Sequence, residues 1–64
     1  MVKINGEEKN IAGMTVAEYL SSSNYNLARI VTEINGTIVP KSQYADKTFA
    51  DGDTVEIVSF VGGG

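Results

Sequence analysis

The residues that could take part in a chemical reaction most directly are the last three of the chain, Gly62, Gly63 and Gly64. They follow a strand-like segment at 54–61. Glycine has no side chain to pack and loses much conformational entropy when it is ordered, so these residues add little to a small core. Extended at about 3.3 Å per residue, residues 61–64 would span roughly 13 Å, enough to carry the terminal carboxylate into another protein's active site. The alternative is a frayed or engineered glycine-rich end, because termini are often disordered.

The rest of the chain offers little chemistry of its own. Its 64 residues make one domain, with too small a core to share with a sizeable substrate pocket. Neither Cys nor His occurs, which removes the usual nucleophilic thiol, the general base near neutral pH and the commonest metal ligand. Asp51 and Asp53 flank Gly52, but two carboxylates without further ligands favour a turn over a cation site. We therefore predict a protein that is not an enzyme and holds no metal.

The charge balance is acidic, with a net charge of −3 and five dispersed basic residues. Nucleic-acid binding draws on clustered Lys and Arg, so no nucleic-acid partner is expected. No apolar run approaches the about 20 residues of a membrane span, and the start of the chain turns polar at Lys3, unlike a signal peptide. These features predict a cytoplasmic protein with no membrane partner.

Turn signals and hydrophobic periodicity predict the secondary structure. Asn5-Gly6 and Asn35-Gly36 each favour a tight hairpin turn, because both residue types tolerate positive φ. Thr15 and Glu18 have the spacing of a helix capping box. The predicted elements are a strand at 1–5, a short strand at 9–11 that ends by Gly13, a two-turn helix from 15, a strand at 29–34, a short strand at 37–39, an irregular segment at 41–47 anchored by Tyr44, and a strand at 54–61.

The apolar side chains of these elements indicate how they pack. Val16, Tyr19 and Leu20 form one stripe on the helix, which would cover one face of the sheet and leave the other face open. We expect the first and last strands to be central, adjacent and parallel. The sequence thus predicts an α+β fold of the β-grasp (ubiquitin-like) type, with a mixed sheet of four to five strands and one main helix on one face. This domain would comprise residues 1–61, followed by a flexible glycine tail at 62–64.

The last strand also predicts a surface for a partner. Val58 and Phe60 alternate away from Val55 and Ile57, and Val31 should lie near them on the neighbouring strand. An open apolar patch on a small domain often marks a site of protein–protein contact. The alternative places Phe60 in the core.

Three segments of this chain resemble one family, the ThiS-type sulfur carrier proteins of thiamin biosynthesis. They are the segment Ile-Asn-Gly-Thr-Ile-Val-Pro at 34–40, the turn at Asp51-Gly52-Asp53 and the Gly-Gly end. The resemblance covers the whole chain. Three glycines stand here where the family requires two, so only Gly63 and Gly64 correspond to its pair.

The resemblance implies a chemistry performed by partners. A ThiF-type, E1-like enzyme would adenylate the carboxylate of Gly64 with ATP and Mg, while Gly62 and Gly63 lie in that enzyme's active site. Sulfur from a cysteine desulfurase would then displace AMP and leave a thiocarboxylate, from which a ThiG-type thiazole synthase takes the sulfur. The carrier itself would bind no cofactor.

Two other functions remain open at this point. A MoaD-like sulfur donor for molybdopterin, or a carrier for tRNA thiolation, would use the same tail, although the Ile-Val-Pro segment and the short length favour thiamin. A plain β-grasp binding module of the TGS type belongs to a different functional class, because its C-terminus would need no activation.

Overall fold

The computed structural model describes residues 1–60 of the chain. These residues form one mixed five-stranded sheet in the order β2-β1-β5-β3-β4, with β1 and β5 parallel and the other neighbours antiparallel. The predicted α+β β-grasp architecture, with adjacent and parallel first and last strands, is confirmed. The elements are β1 (Val2–Ile4), β2 (Glu7–Lys9), α1 (Val16–Ser21), a 3-10 helix (Leu27–Arg29), β3 (Ile30–Ile34), β4 (Thr37–Val39), a second 3-10 helix (Lys41–Gln43) and β5 (Thr54–Ser59).

Both hairpins close through the Asn-Gly pairs that the sequence singles out. Both residues of each pair have positive φ, 48° and 87° at Asn5-Gly6 and 52° and 85° at Asn35-Gly36. Positive φ at both central positions defines a type I′ turn, whose twist matches that of the flanking strands. The predicted turns are therefore confirmed, and they fix the register of both hairpins.

The second strand was predicted too late in the chain. The two-residue turn places Glu7 directly opposite Ile4, so β2 is Glu7–Lys9 and not residues 9–11. Ile11 lies beyond the strand and packs, half-buried, against the core. Gly13 does not end the strand but adopts a positive φ of 93° in the turn before the helix.

The helix begins with the predicted capping box. The Glu18 amide donates to Oγ1 of Thr15 at 3.1 Å, and the Thr15 amide donates to Oε1 of Glu18 at 2.8 Å. The two bonds satisfy donors that the first turn cannot pair internally. Of the predicted stripe, Val16 and Leu20 are buried against the sheet, whereas Tyr19 lies half-buried at the edge of the core. Among residues 1–60, no helix is long and apolar enough to cross a bilayer.

The core includes one large residue that the sequence did not predict. Phe49 is only 2% exposed and meets Tyr19 edge-on, with ring centroids 5.9 Å apart. Its amide donates to the Met14 carbonyl at 2.9 Å, so the segment before β5 is tied to the start of the helix. The segment around Phe49 is irregular and its apolar residues have no repeating spacing, so hydrophobic periodicity does not predict that this ring is buried.

The core also encloses a hydroxyl group. Thr32 has no exposed surface and lies between Val39 of β4 and Ile57 of β5, on the face that α1 covers. Its Oγ1 has no hydrogen-bond partner among the described residues. An unpaired buried hydroxyl costs about 1–3 kcal/mol, so this residue lowers the stability of the sheet that positions the functional surface.

Candidate functional site

Strand β5 lies in the middle of the sheet and leads towards the predicted sulfur-carrying end. Ser59 lies opposite Ile30, and the Phe60 amide donates to the Arg29 carbonyl at 2.6 Å. The strand is thus held by its β3 neighbour up to the last residue that the structure describes. Gly62, Gly63 and Gly64 lie outside the described residues, as does the predicted boundary at residue 61, and their roles stay predictions.

Two asparagine side chains anchor β5 from opposite sides. Oδ1 of Asn5 accepts from the Ile57 amide at 2.8 Å, and its Nδ2 donates to the Ile57 carbonyl at 3.1 Å. Oδ1 of Asn35 accepts from the Thr54 amide at 2.9 Å. Each Asn therefore supplies the positive φ of its hairpin turn and also extends the hydrogen bonding of its strand to β5. Sequence reasoning missed this second role, because an Asn-Gly turn alone accounts for the residue type.

The carboxylates of the Asp51-Gly52-Asp53 turn are used in holding the structure together. Asp53 accepts from the Ala50 amide at 2.8 Å and from Nδ2 of Asn35 at 2.9 Å. Asp51 pairs with the N-terminal ammonium group of Met1. The turn predicted here is confirmed. Because β1 and β5 are parallel, the ammonium group lies at the start of β5, at the opposite end of the strand from Phe60.

The face of the sheet that α1 does not cover is called the open face below. It carries exposed apolar side chains near the end of β5, with Val58 53% and Phe60 55% exposed. Val31 lies directly opposite Val58 on β3 and is half-buried. The structure therefore brings together the three residues predicted for docking and excludes a core position for Phe60. Their role in binding a partner stays a prediction.

The open face extends further than the sequence indicated. Ile38 on β4 is 62% exposed and lies opposite Glu33, whose other neighbour is Glu56 on β5. Sequence reasoning missed Ile38, because the face of the sheet on which its side chain lies depends on the register that the Asn35-Gly36 turn imposes. The apolar patch thus spans the outer faces of three neighbouring strands.

A shallow cavity lies beside the β4 edge, away from the end of β5. Its volume is about 120 Å³, and it is lined by Ile34, Thr37, Ile38, Val39, Gln43 and Lys47. Ligand pockets for small organic molecules are usually about 300–1,000 Å³. This cavity is too small for such a substrate.

A sequence model of the ThiS family matches residues 2–64, nearly the whole chain. The chain belongs to the ThiS family. It is 34% identical over 67 aligned residues to the sulfur carrier protein ThiS of Bacillus subtilis, and the match covers 100% of both proteins. The crystal structure of ThiS from Geobacter metallireducens superposes with a TM-score of 0.79 at 30% identity, covering 98% of this chain and 97% of that one.

A third relative is larger than this chain. A thiazole synthase of Paramagnetospirillum magneticum is 48% identical over 62 residues, which cover 95% of this chain but only 19% of that protein. Together, the family match and these relatives identify a ThiS-type sulfur carrier protein of thiamin biosynthesis, which is not an enzyme. The predicted family, fold and carrier function are confirmed.

Proposed function

We propose that this ThiS protein carries sulfur as a thiocarboxylate on Gly64 and delivers it for thiazole formation. The observation that carries the proposal is the extent of the family match, which runs through the terminal glycines to residue 64. The anchoring of β5 supports it as well, because the central strand gives the following glycines a rigid base.

The carboxylate of Gly64 needs activation before sulfur can replace oxygen. Its pKa in an unperturbed chain end is about 3.5, so it is ionised at neutral pH and is a poor electrophile. A ThiF-type enzyme transfers AMP from ATP, supplied with Mg, to this carboxylate and releases pyrophosphate. A persulfide sulfur attacks the acyl adenylate and AMP leaves. Attack by a second thiol on the resulting acyl disulfide releases the thiocarboxylate and leaves a protein disulfide.

The carrier contributes position to these steps, and it supplies no acid, base or cofactor. It has neither Cys nor His, and the carboxylates of Asp51 and Asp53 are engaged in structural contacts far along β5 from Phe60. Its useful properties are a folded domain that a partner can bind and a C-terminal segment of fixed length whose glycines carry no side chains. Holding reacting groups in a productive geometry can lower a barrier by several kcal/mol.

The partners follow from this chemistry. A ThiF-type enzyme activates the end, a cysteine desulfurase supplies the sulfur, and a ThiG-type thiazole synthase accepts it. The thiazole synthase assignment is supported by the relative in which a segment similar to this chain makes up 19% of a protein of that name. The activation step consumes ATP and the release of the thiocarboxylate consumes a reduced thiol, so we place the protein in the cytoplasm.

Intact-protein mass spectrometry tests the loading step. After incubation with ATP, a ThiF-type enzyme and a persulfide donor, the mass should rise by the difference between sulfur and oxygen, and fragmentation should locate the change at Gly64. Reactions without ATP serve as the control. An unchanged mass, with an enzyme shown to adenylate another carrier, would contradict the proposal.

A further inference from the structure

The open face carries a pair of like charges in an unfavourable place. Glu33 on β3 and Glu56 on β5 are directly opposite each other in the antiparallel register. Like charges at directly opposed positions destabilise a sheet. Among the described residues, the ion pairs join Met1 to Asp51 and Lys9 to Glu7, so neither Glu33 nor Glu56 is neutralised. A neutral pair at this position would suit the isolated fold better.

The carboxylate pair is bordered by the apolar patch on two sides. Val31 and Val58 form the next row towards the end of β5, about 6.6 Å further along the strands. Ile38 lies beside Glu33 on β4 and is 62% exposed. Phe60 lies one residue beyond β5, is 55% exposed, and its amide donates to the Arg29 carbonyl.

Basic groups stand at both ends of this arrangement. Lys3 lies opposite Thr54, one row before Glu56, and forms no ion pair with it within residues 1–60. Arg29 is exposed and lies at the other end, where its carbonyl accepts from the Phe60 amide. From the carboxylate pair towards Phe60, the open face is therefore negative and then apolar, and the exposed Arg29 stands at the end of the apolar rows.

We propose that the open face docks a protein surface with the complementary order of groups. A basic side chain of the partner lies over Glu33 and Glu56, apolar side chains cover Val31, Val58 and Phe60, and an acidic side chain lies near Arg29. The inference rests on the proposed function, because β5 leads from this face to Gly64. Among the proposed partners, we assign the surface to thiazole synthase, since a segment similar to this chain occurs within a protein of that name.

The order of charges has a clear physical use. A basic side chain of the partner relieves the repulsion between Glu33 and Glu56 on binding. The binding free energy is therefore more favourable than pairing with a single isolated carboxylate would make it. A partner turned end for end would place like charges together, which costs affinity. The order therefore fixes the direction in which the chain end points when the carrier docks.

A binding titration with thiazole synthase tests the inference. The double variant Glu33→Gln with Glu56→Gln should bind about tenfold more weakly than the unchanged carrier and show a shallower salt dependence. The control combines Glu7→Gln with Asp46→Asn, which also removes two negative charges but lies off the open face. Arg29→Gln should weaken binding severalfold, because the acidic side chain of the partner then lacks its basic counterpart.

Thermal unfolding of the same proteins separates recognition from stability. Because the repulsion is removed, the Tm of the Glu33→Gln, Glu56→Gln variant should equal or exceed that of the unchanged carrier. Equal affinities for the double variant and its control, a lower Tm, or an effect confined to the ThiF-type enzyme would each overturn the inference. If the unchanged carrier fails to bind thiazole synthase at all, the proposed function fails with it.

Discussion

Deletion of Gly64 should lower the rate of sulfur transfer at least about 100-fold, although the shortened chain would still end in Gly-Gly. Removing one residue withdraws the carboxylate by about 3.3 Å from its position in the partner's active site. A misplacement of only about 1 Å can cost on the order of 100-fold in rate. The measured quantity is the rate at which the thiocarboxylate forms with the ThiF-type enzyme, followed by quenching the reaction at short intervals.

Two substitutions that keep the length of the chain complete this test. Gly62→Ala should be milder than Gly63→Ala, because a methyl group close to the reacting carboxylate would meet the walls of the narrow channel that the proposed transfer requires and would restrict φ. Residue 62 is one position further from that carboxylate. The folded body is the same in all three variants, so their thermal unfolding should coincide. A fully active Gly64 deletion would show that a Gly-Gly end suffices and that its distance from the fold has no influence.

Phe60→Asp should weaken binding to a partner roughly 30-fold or more and leave folding intact. The ring is 55% exposed beside Val58, which is 53% exposed, so the substitution removes little from the core. Aromatic residues at the centre of an interface commonly contribute about 2 kcal/mol or more, and 1.4 kcal/mol corresponds to tenfold in affinity. A buried carboxylate facing an apolar partner surface adds a further penalty.

Ala45→Asp is the matched control for Phe60→Asp. It adds the same charge at an exposed position next to Tyr44, whose carbonyl accepts from the Ala17 amide on the helix side of the molecule. Its affinity for the partner should equal that of the unchanged carrier. Loss of folding in Phe60→Asp would show that the ring stabilises the domain, and unchanged binding would show that docking takes place elsewhere.

Local signals predicted most of the fold. The Asn-Gly turns and the capping box at Thr15 depend on residues close in sequence, and the structure confirms them. The alternation in β5 correctly predicted that Val55 and Ile57 are buried and that Val58 lies on the open face beside Val31 of β3. These features follow from conformational preference and periodicity, which a sequence contains directly.

The remaining features arise from contacts between distant segments. Phe49 enters the core through a segment without periodicity, and Asn5 reaches Ile57 across 52 positions. Ile38 and the opposition of Glu33 and Glu56 depend on strand pairing, which the sequence does not specify residue by residue. The predicted functional end could be located only by its composition and by the family resemblance, since Gly62, Gly63 and Gly64 lie beyond the described residues.

Transfer of labelled sulfur tests the central claim most directly. A carrier loaded with labelled sulfur, purified away from ATP and the activating enzyme, is mixed with thiazole synthase and its other substrates for a single turnover. The account predicts that the label appears in the thiazole product while Gly64 returns to a carboxylate, in equal amounts. Label that stays on the carrier, or that passes instead to a molybdopterin precursor under matched conditions, would contradict it.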